Sequence, residues 1–211
     1  MKVSKNKLTK RFLLRVFFLF VIVVIIDYSI GNILSYFYFK QNNGLRYRTT
    51  FSMEQTKADI IILGSSRAVH HYHPEVFEGR FYLSCYNAGQ DGNTIFYHSA
   101  ILKSILERHT PKIVILDFIG EEFRKDQQSY DRLSYLLPYY KRHPEIRPIV
   151  ELKSPYERMK MMSSVYPFNS SIFAIAAGNA KFNQKRNFDI KGYMPLEGEW
   201  NEPIITDNTQ S

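Results

Sequence analysis

The chain has 211 residues, 45% of them hydrophobic and 23% charged, with a net charge of +8 and a single cysteine. That length holds one ordinary domain plus an appendage, and one cysteine excludes an intramolecular disulfide framework. The positive excess does not point to nucleic acid, because six of the 28 basic residues fall in the first 15 positions, leaving 22 against 20 acidic ones. The remainder carries no basic stripe interleaved with aromatics.

Those six, Lys2, Lys5, Lys7, Lys10, Arg11 and Arg15, lead into an apolar segment over residues 12–39 that is uninterrupted from 16 to 26. About 20 apolar residues cross a bilayer as a helix, so the segment predicts a transmembrane helix with the lipid bilayer as partner. No acidic residue precedes Asp27, which keeps residues 1–11 as a basic cytoplasmic tail and sends the rest of the chain across. A cleaved signal peptide would need a shorter apolar region and a small-residue cleavage site, whereas Tyr36, Phe37, Tyr38, Phe39 and Lys40 follow here. A buried core helix would keep a polar face, which 16–26 lacks. The segment therefore reads as an uncleaved signal anchor. Asp27 and Asn32 interrupt its outer half at some cost, and Arg15 can snorkel toward the headgroups.

Residues 40–57 turn polar and read as a juxtamembrane connector, followed by a domain over 58–211. Its first unit is Asp59-Ile60-Ile61-Ile62-Leu63-Gly64-Ser65-Ser66-Arg67. A short aliphatic run ending in glycine suits a buried parallel strand, and its carboxyl edge is where open α/β sheets bind ligands. A short helix opened by His73-Pro74-Glu75 follows, since proline suits a first helical turn. A second strand covers about 82–87 and holds Cys85, read as a buried structural thiol. Next come the loop Asn87-Ala88-Gly89-Gln90-Asp91-Gly92-Asn93-Thr94, an amphipathic helix to about residue 108 and the strand 112–118. Strand, helix, strand, helix, strand is the order of a parallel sheet with helices on both faces.

These residues resemble the SGNH, or GDSL-like, hydrolase superfamily over roughly residues 59–120, closest to its membrane-anchored bacterial members with a Gly-Ser-Ser first block. The resemblance implies a three-layer αβα parallel sheet of flavodoxin-like type, a bacterial inner-membrane location with the domain extracytoplasmic, and an acylated envelope polysaccharide as substrate. It places the nucleophile at Ser66 and the oxyanion-hole amides at Ser66 and Gly92. Ser65, Arg67, His71 and Asn93 are expected at the rim. A backbone amide from a glycine loop can face the oxygen that becomes negative in acyl transfer. The plainer reading of Gly-Ser-Ser after a strand is an ordinary βα turn.

Two family elements are not matched. Where the third block has Gly-x-Asn-Asp, this chain has Gly120-Glu121-Glu122, and a carboxylate at Glu121 would oppose an oxyanion. No Asp-x-x-His occurs anywhere, and the last histidine is His143, so the family's general base has no counterpart. The expectation is a domain of that fold truncated at its carboxyl end, which another chain could complete. His70, His71 and His73 lack the shared face and the further ligands that a metal site needs. They read as a polar crevice rim, with no metal or cofactor expected.

Beyond residue 120 the pattern predicts helices over 132–143 and 149–162, with Tyr130, Tyr135, Tyr139 and Tyr140 as core packing more readily than a glycan platform, although an exposed aromatic patch could bind glycans or a partner. One more apolar helix is expected over 168–180, and turns from 181 onward. Two functions remain open. One is a membrane-anchored esterase or O-acyl transferase working through Ser66. The other is a catalytically silent relative acting as a binding or assembly partner.

Overall fold

The computed structural model describes residues 5–179 and 189–196. The basic tail before residue 5 and the turn-rich end after residue 196 lie outside the described residues. The chain is mixed α/β, with a small parallel sheet and a long amino-terminal apolar helix.

Helix α1, Lys5–Phe39, is long and apolar enough over Thr9–Phe39 to cross a membrane. Its last turns belong to the domain. Tyr38 is buried, and its ring meets those of Tyr139 and Phe168. The Asp27 carboxylate accepts hydrogen bonds from the Ser163 hydroxyl and from the Ser164 and Val165 amides. A charge that interrupts the apolar pattern is thus matched by donors from the domain.

The expected connector holds a helix, α2, Gly44–Glu54, with Arg48, Thr49, Thr50, Ser52 and Met53 buried against α5. Its hydroxyl side chains are buried at low cost because they are paired. Thr49 and Ser52 donate to the carbonyls of Leu45 and Arg48, while Thr49 and Thr50 also bond the hydroxyls of Tyr97 and Tyr139.

Strands β1 (Ile60–Gly64), β2 (Cys85–Asn87) and β3 (Ile113–Asp117) form a sheet of order β2-β1-β3, parallel throughout. Ile60 stands opposite Cys85 and Ile113, and Gly64 opposite Asp117. Central β1 is wholly buried. Alternation sends Ile60 and Ile62 to one face with Ala68 and Cys85, beneath α3 (Ser66–His71) and α4 (Pro74–Phe81). It sends Ile61 and Leu63 to the other, into the main core with Tyr97, Ile101 and Ile105 of α5, Ile95–Leu106. His73 caps α4 and Pro74 opens it, as its sequence predicts. Burial drives the Cys85 thiol up to about 12, as befits a structural cysteine.

After β3 the expected long helices are broken. Arg132–Tyr139, Pro144–Ile146, Glu151–Lys153 and Tyr166–Ser171 are 3-10 turns. The α-helices α6 (Gln127–Asp131), α7 (Arg147–Val150), α8 (Glu157–Lys160) and α9 (Ile172–Gly178) are short. Pro138 and Pro155 fall inside the expected helices, where each removes an amide donor and clashes with the preceding turn, while Pro144, Pro148 and Pro167 open turns of their own. Tyr139 and Tyr140 are core residues, while Tyr135 is half exposed. Residues 189–196 lie along the β2 edge, where Asn87 donates its amide to the Lys191 carbonyl and Met194 to that of Val69. On the opposite edge, β3 leaves Ile113, Val114 and Leu116 more than a third exposed.

Candidate functional site

The carboxyl ends of β1 and β3 and the loop after β2 enclose a polar recess of about 260 Å³. Its floor depends on Gly64, whose φ of +148° is one that L side chains rarely adopt. A Cβ there would lie 2.5 Å from the Asp117 carbonyl oxygen and 2.8 Å from Ala68 Cβ. The chain can therefore leave β1 and enter α3 only through glycine. Ser65 occupies the cap position of α3, but its hydroxyl does not cap the helix. It donates instead to Glu122 Oε1 at 2.7 Å. Ser66, the first residue of α3, lies exposed in the recess and carries one of the amides a helix start leaves unpaired.

The loop after β2 is tied down at each step. Asn87 Nδ2 donates to the carbonyls of Ala68 at 2.7 Å and Tyr72 at 2.9 Å, and Asn87 Oδ1 accepts from the Gly89 amide. The Gln90 amide reaches the Gly64 carbonyl at 3.0 Å, fixing the loop directly over the end of β1. Gly92 then turns with φ +65°. Its carbonyl accepts from the Arg132 guanidinium, and the residue lines the recess.

Ser65, Ser66, Gly92 and Asn93 line one recess, so four of the six expected site residues are brought together. Arg67 and His71 do not line it. Each helical residue turns about 100°, and Arg67 swings to β3, pairing with Asp117 and donating to the Phe118 carbonyl at 3.0 Å. His71, at the far end of α3, is exposed. Glu121 is exposed as well and pairs with Arg124. Glu121, Glu122 and Asp126 all line the recess, and of the adjacent pair it is Glu122, 7% exposed, that is buried in its wall. Glu122 and Arg132 carry no motif that would single them out in the sequence. The one signal is the adjacent pair Glu121-Glu122, and both residues line the recess.

Behind the recess surface, residues of its lining leave polar atoms unpaired. Among the described residues, Asn93 Oδ1, Thr94 Oγ1 and Glu122 Oε2 are buried without a hydrogen-bond partner. Each such atom costs about 1–3 kcal/mol unless something donates to it. No histidine lines the recess. His70 is held by the Met194 carbonyl at 2.7 Å and by Asp91 at 3.4 Å. His98 is buried with both ring nitrogens unpaired, and desolvation pushes its pKa down to about 4. His143 lies between Glu54 and Glu145. No group of three or more metal-ligating side chains occurs among the described residues.

No family model matches the chain, and neither a curated protein nor a solved structure is similar to it.

Proposed function

We propose that the chain is a membrane-anchored SGNH-like protein of the bacterial cytoplasmic membrane, related to serine esterases and O-acyl transferases. In this reading α1 spans the membrane, and an extracytoplasmic domain offers its recess to an acylated envelope glycan. The observation that carries it is the meeting of Ser66 and Gly92 at the carboxyl edge of the central strand. Acyl transfer requires a hydroxyl nucleophile beside backbone amides that can receive the oxyanion. The unpaired acceptors of Asn93, Thr94 and Glu122 favour a ligand rich in hydroxyl donors, and Arg132 supplies a donor in return. The fuller three-layer sheet of that superfamily is part of the same proposal, with the exposed β3 edge as the place where further strands or a partner chain would add.

A second reading has its own support. No imidazole reaches Ser66, and a serine without a base is a weak nucleophile. Glu122 also brings negative charge toward the place where an oxyanion would form. On that reading the recess binds the glycan without turning it over. A fluorophosphonate probe separates the two when applied to the full chain in native membranes. Labelling at Ser66 that disappears in Ser66→Ala supports the acyl-transfer reading. An unlabelled Ser66 in a chain that still retains acetylated glycan supports the binding reading, and neither labelling nor retention would end both.

A further inference from the structure

We propose that the turn bearing Tyr156, Met159 and Met162 is immersed in the bilayer leaflet on the domain's side, with lipid chains filling the groove between this turn and α1. The proposal rests on α1 spanning the membrane.

The first support is the level at which the turn is pinned. Asp27 holds it through the Ser163 hydroxyl at 2.6 Å, the Ser164 amide at 2.6 Å and the Val165 amide at 3.4 Å. One turn further along α1, a Cβ added to Gly31 would fall inside Ser164, so the two backbones are in direct contact. A helix rises about 1.5 Å per residue and the hydrocarbon is about 30 Å thick, so a span of about 20 residues that starts just after Arg11 ends near residue 31. Asp27 then lies roughly 6 Å inside that exit, and a span that starts after Arg15 places it deeper. Whatever is fixed to Asp27 is therefore at the depth of the leaflet, not above it.

The second support is the groove itself, about 580 Å³ in volume. Val23, Ile26 and Ile30 of α1, with Asp27 among them, form one wall, and Lys160, Ser163, Val165, Tyr166 and Asn169 form the rest. The α1 wall is part of the apolar span, so the groove is continuous with the surface that lipid covers on the rest of the helix.

The third support is the side-chain chemistry. Tyr156, Met159 and Met162 are 65%, 63% and 80% exposed, while Met161 between them is buried at 3%. Methionine is apolar and adapts to irregular surroundings, and tyrosine is favoured at the membrane interface. The turn's cations are exposed Arg158, whose long side chain can reach the headgroups, and partly exposed Lys160, which pairs with the buried Glu157 carboxylate at 3.2 Å.

The test uses the full chain in phosphatidylcholine vesicles, with the only tryptophan removed as Trp200→Phe. Single tryptophans are then introduced by Met159→Trp, Met162→Trp and Phe20→Trp, the last as a reference inside the span. All three positions are exposed in the protein, so folding is not at stake. Lipids brominated near the carbonyl end of the chain for the turn positions and near its methyl end for Phe20→Trp, which lies close to the bilayer midplane, together with aqueous acrylamide, report where each indole lies. The expected result is loss of emission in brominated vesicles for Met159→Trp and Met162→Trp as for Phe20→Trp, with protection from acrylamide. Quenching of Phe20→Trp alone overturns the proposal. If the two turn positions then remain shielded from acrylamide, protein covers them, such as a second copy. If Phe20→Trp is itself insensitive to brominated lipid, the spanning reading of α1 fails and the leaflet proposal with it.

Discussion

At the scale of single residues, Gly64 is where the fold and the recess depend on the same atom count. Its positive φ and the contacts waiting for a Cβ act together. Gly64→Ala is expected to cost about 3 kcal/mol, combining a rarely populated backbone conformation with overpacking. Urea unfolding of the detergent-solubilised chain measures it, with exposed Ser66→Ala as a comparison that keeps the parent midpoint. A Gly64→Ala midpoint equal to the parent would mean that the β1 to α3 turn has room to relax. His98 offers a second residue-level test. Its folded pKa is depressed by burial from 6.5 to about 4, so the folded state resists protonation. Its stabilising effect is present above pH 6.5 and is lost as pH falls toward about 4. His98→Phe removes no hydrogen bond, because neither ring nitrogen has a partner. Denaturation across this window should therefore show the parent losing stability relative to His98→Phe as pH falls. A constant difference would rule out a neutral, desolvated imidazole.

At the scale of elements, His143 joins α2 to the turn after Tyr139, with Nε2 3.3 Å from Glu54 and Nδ1 2.7 Å from Glu145. Burial opposes its charge, but the two carboxylates outweigh burial and raise its pKa above 6.5. A raised folded pKa gives stability that is fully present below the unfolded value and fades as pH rises through the folded one. His143→Gln should therefore lose most stability relative to the parent just below pH 6.5 and progressively less in alkaline buffer, the opposite slope to His98. The elements also show what a sequence can reveal. Residues 59–63 and 112–118 announce strands because their aliphatic runs are short and bounded by turn signals, and α5 is legible from its apolar spacing. Helix α2 is not, since Arg-Tyr-Arg-Thr-Thr has no apolar period and its burial depends on hydroxyl partners from α5 and Tyr139. The site divides in the same way. Ser65, Ser66, Gly92 and Asn93 sit in local motifs beside β1 and β2 and could be read directly. Glu122 and Arg132 reach the recess from short turns beyond β3, where no periodicity tells which side chain faces inward.

At the scale of the molecule, α1 is both a membrane-length helix and a wall of the domain, and the two roles meet between Asp27 and Tyr38. A rigid joint there fixes the recess at one height and tilt above the bilayer, whereas a flexible one would let the domain swing. The contacts favour rigidity: a carboxylate shared by three donors, a glycine whose Cα touches the Ser164 backbone, and a ring cluster at Tyr38, Tyr139 and Phe168. Gly31→Leu should open this joint, because its side chain has no space against Ser164 and must push the turn away from Asp27. Hydrogen exchange of the nanodisc-embedded chain distinguishes a joint from a keystone. The Ser164 and Val165 amides, released from Asp27, should exchange faster in Gly31→Leu, while the amides of β1 keep their protection because the sheet core draws its burial from α3, α4 and α5. Equal acceleration in β1 would show that the outer half of α1 supports the whole fold, so that anchoring and folding are inseparable. Faster exchange confined to residues 163–165 would show instead that the sheet stands without the joint, which then serves to hold the recess at its place over the membrane.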